Sequence, residues 1–237
     1  MGHATHDAAV RLTVSAAASM QDVLEQLRTA YQAIMPAVEI IYNFGSSGSL
    51  AQQIVQGAPV DLFLSASPQW VDRLGKTGLL LSNSRQVLIQ NSMVLIVPKG
   101  DNNITSFQDL SIANKIAMGE PESVPAGHYA KETLKFLNLF DSLQAKLVFG
   151  KNVRHVLAYV ETGNVDAGLV YATDARISRH VQMITTAPAN SHTDIIYLIA
   201  VVKASQQVNA AQAFVDFLVS APALAIFQDY GFLNVER

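Results

Sequence analysis

Cysteine is absent from the 237 residues. Disulfides, thiol nucleophiles and thiolate metal sites are therefore excluded, and an oxidising compartment is compatible. No apolar run approaches the roughly 20 residues needed to span a bilayer. Basic residues are scarce: 16 Lys and Arg stand against 19 Asp and Glu, a net charge of -3, with no basic stripe or arm. No nucleic-acid partner is expected from such a balance. No histidines or carboxylates pair at metal-ligand spacing, and no Gly-x-Gly-x-x-Gly occurs. Gly75-Lys76-Thr77 resembles the end of a phosphate loop, but Trp70 stands where its first glycine is required. Residues 1–10 lack the apolar centre of an export signal. Met1-Gly2-His3-Ala4-Thr5-His6 reads as a leader without fixed structure, so a native signal is expected to have been removed.

What the chain has is hydrophobic bulk, 50% of its residues, enough for a substantial core. It also has a repeated local event. A short apolar strand meets a small-residue turn carrying serine, and a helix follows at once. Leu12 to Ser19 leads into Met20-Gln21-Asp22-Val23-Leu24. Ile40 to Ser49 leads into Leu50-Ala51-Gln52-Gln53-Ile54. Each turn puts hydroxyls beside the unpaired N–H groups of a helix N-terminus, where the helix dipole adds partial positive charge. Two such ends aimed at one point make an anion site without lysine or arginine.

Strand patterns recur at 38–44, 60–64, 92–97, 115–119, 146–150, 167–171 and 194–202, with helical spacing between most of them. Alternation of this kind predicts mainly parallel sheets flanked by helices. Its length predicts two α/β lobes, with crossings near 85–90 and 199–202. Residues 11–87 and 201–237 are assigned to the first lobe and 88–200 to the second. Ligands bind such sheets beyond the carboxyl ends of strands, where the serine turns lie.

Ser19 also reads as a helix N-cap, with Asp22 completing a capping box, and Ser49 as a cap after a flexible turn. Asp61 and Asp166 read as structural hydrogen-bonding groups beside strands, and Arg154 as a solvated surface residue. A serine hydrolase stays open as a rival using Ser19 or Ser47, with His128, His155, His180 and His192 as candidate partners. Gly45 and Gly48 are three apart, which fails the nucleophile elbow.

Several blocks together are more specific: Ala16-Ala17-Ala18-Ser19, Phe44-Gly45-Ser46-Ser47-Gly48-Ser49, Gly57-Ala58-Pro59-Val60-Asp61, Val124-Pro125-Ala126-Gly127, Asn152-Val153-Arg154 and Gly168-Leu169-Val170-Tyr171. With them the chain resembles periplasmic molybdate-binding proteins, the substrate-binding components of molybdate ABC importers, from Leu12 to Phe232. The resemblance implies a two-lobed periplasmic-binding-protein fold of class II type, with the ligand in the interlobe cleft. It implies a non-enzymatic, monomeric receptor that captures molybdate or tungstate and delivers it to a membrane permease. It implies no cofactor, and molybdenum only as the oxyanion, without direct protein ligands. The donors it implies are Ser19, Ser47 and the Tyr171 hydroxyl, with backbone N–H groups at Ala126 and Val153. His128 and His155 stand beside two of these, and histidine titrates near neutrality. A sulfate receptor of the same fold is the alternative anion reading.

Overall fold

The structure, a computed structural model, describes residues 10–235. The expected leader lies outside the described residues except for Val10, which already pairs with Val38.

The chain enters through β1 (Val10–Ala17), makes a 3-10 turn at Ala18–Met20 and continues as α1 (Gln21–Ile34). There follow β2 (Val38–Gly45), α2 (Ser47–Val55), β3 (Leu62–Ser65), α3 (Pro68–Lys76) and β4 (Gln86–Asn91). Ser92 alone joins β4 to β5 (Met93–Pro98) and so starts the second lobe. That lobe adds β6 (Ile116–Gly119), α4 (Pro125–Phe136), α5 (Phe140–Leu143), β7 (Leu147–Gly150) and α6 (Val153–Glu161). It ends with β8 (Ala167–Tyr171), α7 (Ala172–Ile177) and β9 (Val181–Thr186). The chain then returns to the first lobe as β10 (Ile195–Val201), α8 (Val208–Leu218) and α9 (Ala221–Asp229).

Each lobe is built on a five-stranded sheet, ordered β2-β1-β3-β10-β4 in the first and β7-β6-β8-β5-β9 in the second. One strand in each, β10 or β5, runs antiparallel to its neighbours. This is the expected mixed, mainly parallel α/β architecture. Residues 88–91 and 195–200, expected in the second lobe, pair instead in the first sheet, as parts of β4 and β10. Residue 92 and residues 187–194 are the crossings. The physical reason is that β10 is an apolar run that satisfies either sheet equally. Only its distant partners in β3 and β4 decide, and periodicity does not encode them.

Strands β3, β6 and β8 are buried along their whole length. Helices on both faces explain their continuous apolar character. On α1, Val23, Leu24, Leu27 and Tyr31 form the inward stripe. The Tyr31 ring packs against Phe214 and Phe217 of α8, at 4.9 and 5.1 Å between centroids. The two structural aspartates behave as the sequence predicts. Asp61 accepts from the Thr13 N–H at 2.8 Å and from Ser205 at 2.6 Å. Asp166 accepts from the N–H groups of Asn114 and Lys115 at 2.6 and 2.9 Å. Each ties the start of its own strand, β3 or β8, to the first parallel strand of its lobe, β1 or β6. Among the described residues no single helix is long and apolar enough to cross a membrane.

Candidate functional site

The carboxyl ends of β1, β2, β6, β7 and β8 all open onto one small cavity between the lobes. Ser19, Ser47, Ala126, Val153 and Tyr171, the five residues implied as donors, all line it. Ala66, at the end of β3, also contributes. Its neighbours Ser65-Ala66-Ser67 form a third strand, small-residue turn and helix start, the signal that locates it in the sequence. About 10 Å³ is open to the centre of a bound atom, room for one small species. Each of the five donor residues is at most 4% exposed. Among the described residues no lysine, arginine, aspartate or glutamate lines the cavity.

In the first lobe the candidate donors are hydroxyls already held by their own lobe. Ser47 is the first residue of α2. The cap of that helix is Ser46, whose oxygen accepts from the Ser49 N–H at 3.2 Å, rather than the expected Ser49. The Ser47 oxygen accepts from the Ala66 N–H at 3.0 Å, which leaves its hydroxyl proton free to point elsewhere. Ser19 does not cap α1 as the capping-box pattern predicts. The 3-10 turn moves the helix start past it, so Met20 is the N-cap without a side-chain bond. The Ser19 hydroxyl instead meets the Tyr197 hydroxyl at 2.8 Å. Tyr197 in turn lies 3.3 Å from the Asn91 amide nitrogen, which donates to it. Asn91 donates to the Tyr197 oxygen; with Tyr197 donating in turn to Ser19, one of the two directions this hydroxyl pair allows, the Ser19 proton points to the cavity. Asn91 also donates to Thr173 across the hinge at 2.8 Å. Nothing in the local sequence around Asn91 or Tyr197 signals this.

In the second lobe the candidate donors are two backbone groups and one hydroxyl. Pro125 and Ala126 are the first two residues of α4, and the N–H of Ala126 has no intrahelical partner. The helix start lies flush on β6, because a Cβ at Gly127 would overlap the Gly119 carbonyl. Val153 is the first residue of α6, capped by Asn152, whose side chain accepts from the His155 N–H at 3.0 Å. The Val153 N–H is therefore free as well. Tyr171 ends β8. Its hydroxyl is fully buried and has no partner among the described residues. Burial, with Tyr197, Tyr129 and Asp174 nearby, pushes its pKa well above the usual tyrosine value, so it stays a donor. Burial likewise raises Tyr197.

The lobes are shut over this cavity. The Gly48 N–H donates to the Ser123 carbonyl at 3.0 Å, and the Tyr129 hydroxyl donates to the Ala66 carbonyl at 3.3 Å. A Cβ on Gly48 would stand 2.5 Å from that carbonyl oxygen and 2.6 Å from the Trp70 ring. Glycine at 48 is thus required by close approach on two sides, the Ser123 backbone of the other lobe and the Trp70 ring of its own, and not by a turn. Behind the wall, Arg154 sits beside Asp174 and Asp22. Its side chain is 20% exposed, so it is not the solvated surface residue that the sequence pattern predicts. Burial pushes the Asp174 carboxyl up to about 6, against the pull of Arg154. Desolvation, with Lys151 nearby, lowers the pKa of His155, which keeps its ring neutral at pH 7.

Known proteins share both sequence and architecture with this chain. A substrate-binding lipoprotein assigned to an ABC transporter in Bacillus subtilis is 46% identical, over 94% of this chain and 86% of its own. The molybdate-binding protein ModA of Haemophilus influenzae is 37% identical, over 95% and 91%. The solved periplasmic molybdate-binding protein of Azotobacter vinelandii superposes with a TM-score of 0.87 over 95% of this chain and all of that one, at 24% identity. The bacterial extracellular solute-binding protein family matches residues 12–233. The chain belongs to that family of bacterial extracellular solute-binding proteins.

Proposed function

We propose that this protein captures molybdate, with tungstate close behind, and delivers it to the membrane permease of an ABC importer. The observation that carries the reading is the closed, uncharged cavity at converging helix N-termini, with the unpartnered Tyr171 hydroxyl in its wall. In this reading Ser19, Ser47 and Tyr171 donate hydroxyl protons, and Ala126 and Val153 donate backbone N–H groups. Molybdate is a dianion without a proton at neutral pH, so a wall of donors satisfies it. Hydrogen phosphate keeps a proton that meets no acceptor and is left unpaired. Sulfate has the right charge but is smaller, and a rigid wall bonds it at poor distances. Exclusion of water strengthens every bond to the anion.

The molybdate-binding names of the relatives support this anion over sulfate. The protein acts as a monomeric receptor in the periplasm or its extracytoplasmic equivalent, with no cofactor and no catalytic step. A hydrolase gains no support from the site. Ser19 is bonded to Tyr197 and Ser47 to the Ala66 N–H, and neither bonds a histidine among the described residues. Calorimetric titration of ligand-stripped protein with molybdate, tungstate, sulfate and phosphate tests the reading. Tight one-to-one binding of the first two alone is expected. Sulfate at least as tight as molybdate would overturn the anion.

A further inference from the structure

Arg154 stands one residue after the proposed donor Val153, yet it does not line the cavity. It belongs to the second lobe and reaches into the first. Its Nε lies 2.6 Å from Oδ1 of Asp174, a wholly buried carboxylate three residues beyond Tyr171 in the same lobe. Its Nη2 lies 2.7 Å from Oδ2 of Asp22, on α1 of the first lobe. The same Nη2 donates to the Ser19 carbonyl at 3.4 Å. One guanidinium therefore joins the turn that carries Ser19 to the helix that follows Tyr171.

We infer that Arg154 is a positioning residue that latches the closed lobes and slows anion release without touching the anion. The inference rests on the proposed anion-binding role of the cavity. Two carboxylates face this one cation, so its charge is already matched and adds little attraction for a dianion. Its contacts divide unequally between states. The Asp174 pair lies within one lobe and persists when the lobes part. The Asp22 and Ser19 contacts cross between lobes and exist only when they are shut. A contact made only in the bound, closed state acts on the release rate rather than on capture. Arginine suits the task because its delocalised charge pairs with both carboxylates as close ion pairs, without aligned hydrogen bonds, while Nη2 still donates to the Ser19 carbonyl.

Asp22→Asn tests this in the full chain. Asp22 is 44% exposed along its side chain, so the substitution is tolerated in the fold, and the pair in the second lobe stays intact. The readouts are molybdate association and release by stopped-flow chase with tungstate, and the melting temperature without ligand. We expect release about tenfold faster, association within about threefold, and an unchanged ligand-free melting temperature. Arg154→Lys is the second variant, because removing the cation outright strands the buried Asp174. It is expected to speed release comparably, and the double variant to add little beyond either single change. An unchanged release rate in both variants overturns the latch. So does faster release that is matched by an equal loss of ligand-free stability, since that is a general structural role. A wild type that binds none of the four anions overturns the cavity reading itself, and is recognised before any variant is made.

Discussion

The two lobes repeat one topology with different chemistry. In each, the first three parallel strands end at the cavity, and an aspartate before the third braces the first: Asp61 in one lobe, Asp166 in the other. Ser19 and Ala126 follow equivalent strands, as do Ser47 and Val153, and Ala66 and Tyr171. The first lobe presents side-chain hydroxyls whose oxygens are already bonded at home. The second presents helix N–H groups and one hydroxyl with no partner at all. Topology aims the donors, and sequence decides only which atoms fill each place. The difference also separates stability from binding. A first-lobe hydroxyl serves both, whereas the Tyr171 hydroxyl gains a partner only when something enters the cavity.

Several changes break or sharpen that contrast. Gly48→Ala sets a methyl group against the Ser123 carbonyl and wedges the lobes apart. Molybdate affinity should fall by about 3 kcal/mol, roughly 100-fold, by analogy with overpacking of a dry contact. The clash with Trp70 lies within the first lobe, so ligand-free melting should fall as well, by less than the binding loss, and calorimetry with a thermal scan checks both. Tyr171→Phe should weaken binding by about 1.5–3 kcal/mol, the worth of a hydrogen bond to a charged group, with no loss of ligand-free stability. Ser47→Ala should weaken binding to a similar degree, but it also strands the buried Ala66 N–H. It should therefore cost ligand-free stability by about 1–3 kcal/mol in denaturant melts. Equal stability of the two variants would erase the distinction between the lobes. Tyr197→Phe removes a relay rather than a donor, and about 0.5–1.5 kcal/mol of binding should go with it.

The smallest effect concerns pH. Burial holds Tyr171 and Tyr197 protonated well beyond the usual tyrosine range, and the lowered His155 stays neutral. The affinity should change less than about twofold between pH 7 and 9. A step near neutrality would assign a titrating group to the site. Stability carries a separate signature. Asp174 has a raised folded pKa, about 6 against an ordinary 3.8. Its contribution to stability is therefore full below about 4 and is lost as the pH rises through 6. Relative to Asp174→Asn, the wild type should lose melting temperature across that window.

Much of this was legible in the chain. Periodicity and small residues mark the strand-to-helix junctions where Ser47, Ala126, Val153 and Tyr171 sit, but only the family resemblance singles out these residues as donors. The edge strands β4 and β9 were not legible, because their partly exposed residues carry no clean alternation. The lobe of β10 depends on partners far along the chain. Ser19 was misread as a cap because a three-residue 3-10 turn shifts the helix register, which no spacing rule predicts. Arg154 was misread because its partners, Asp22 and Asp174, meet it only through the fold.

The central claim is that uncharged donors from both lobes hold one proton-free dianion. A crystal grown with tungstate, read by the anomalous signal of tungsten, tests it most directly. The account predicts one peak in the interlobe cavity, with Ser19, Ser47, Ala126, Val153 and Tyr171 donating to its oxygens and Arg154 out of contact. A peak held by Arg154 or by surface lysines, or an empty cavity beside an occupied site elsewhere, would contradict it.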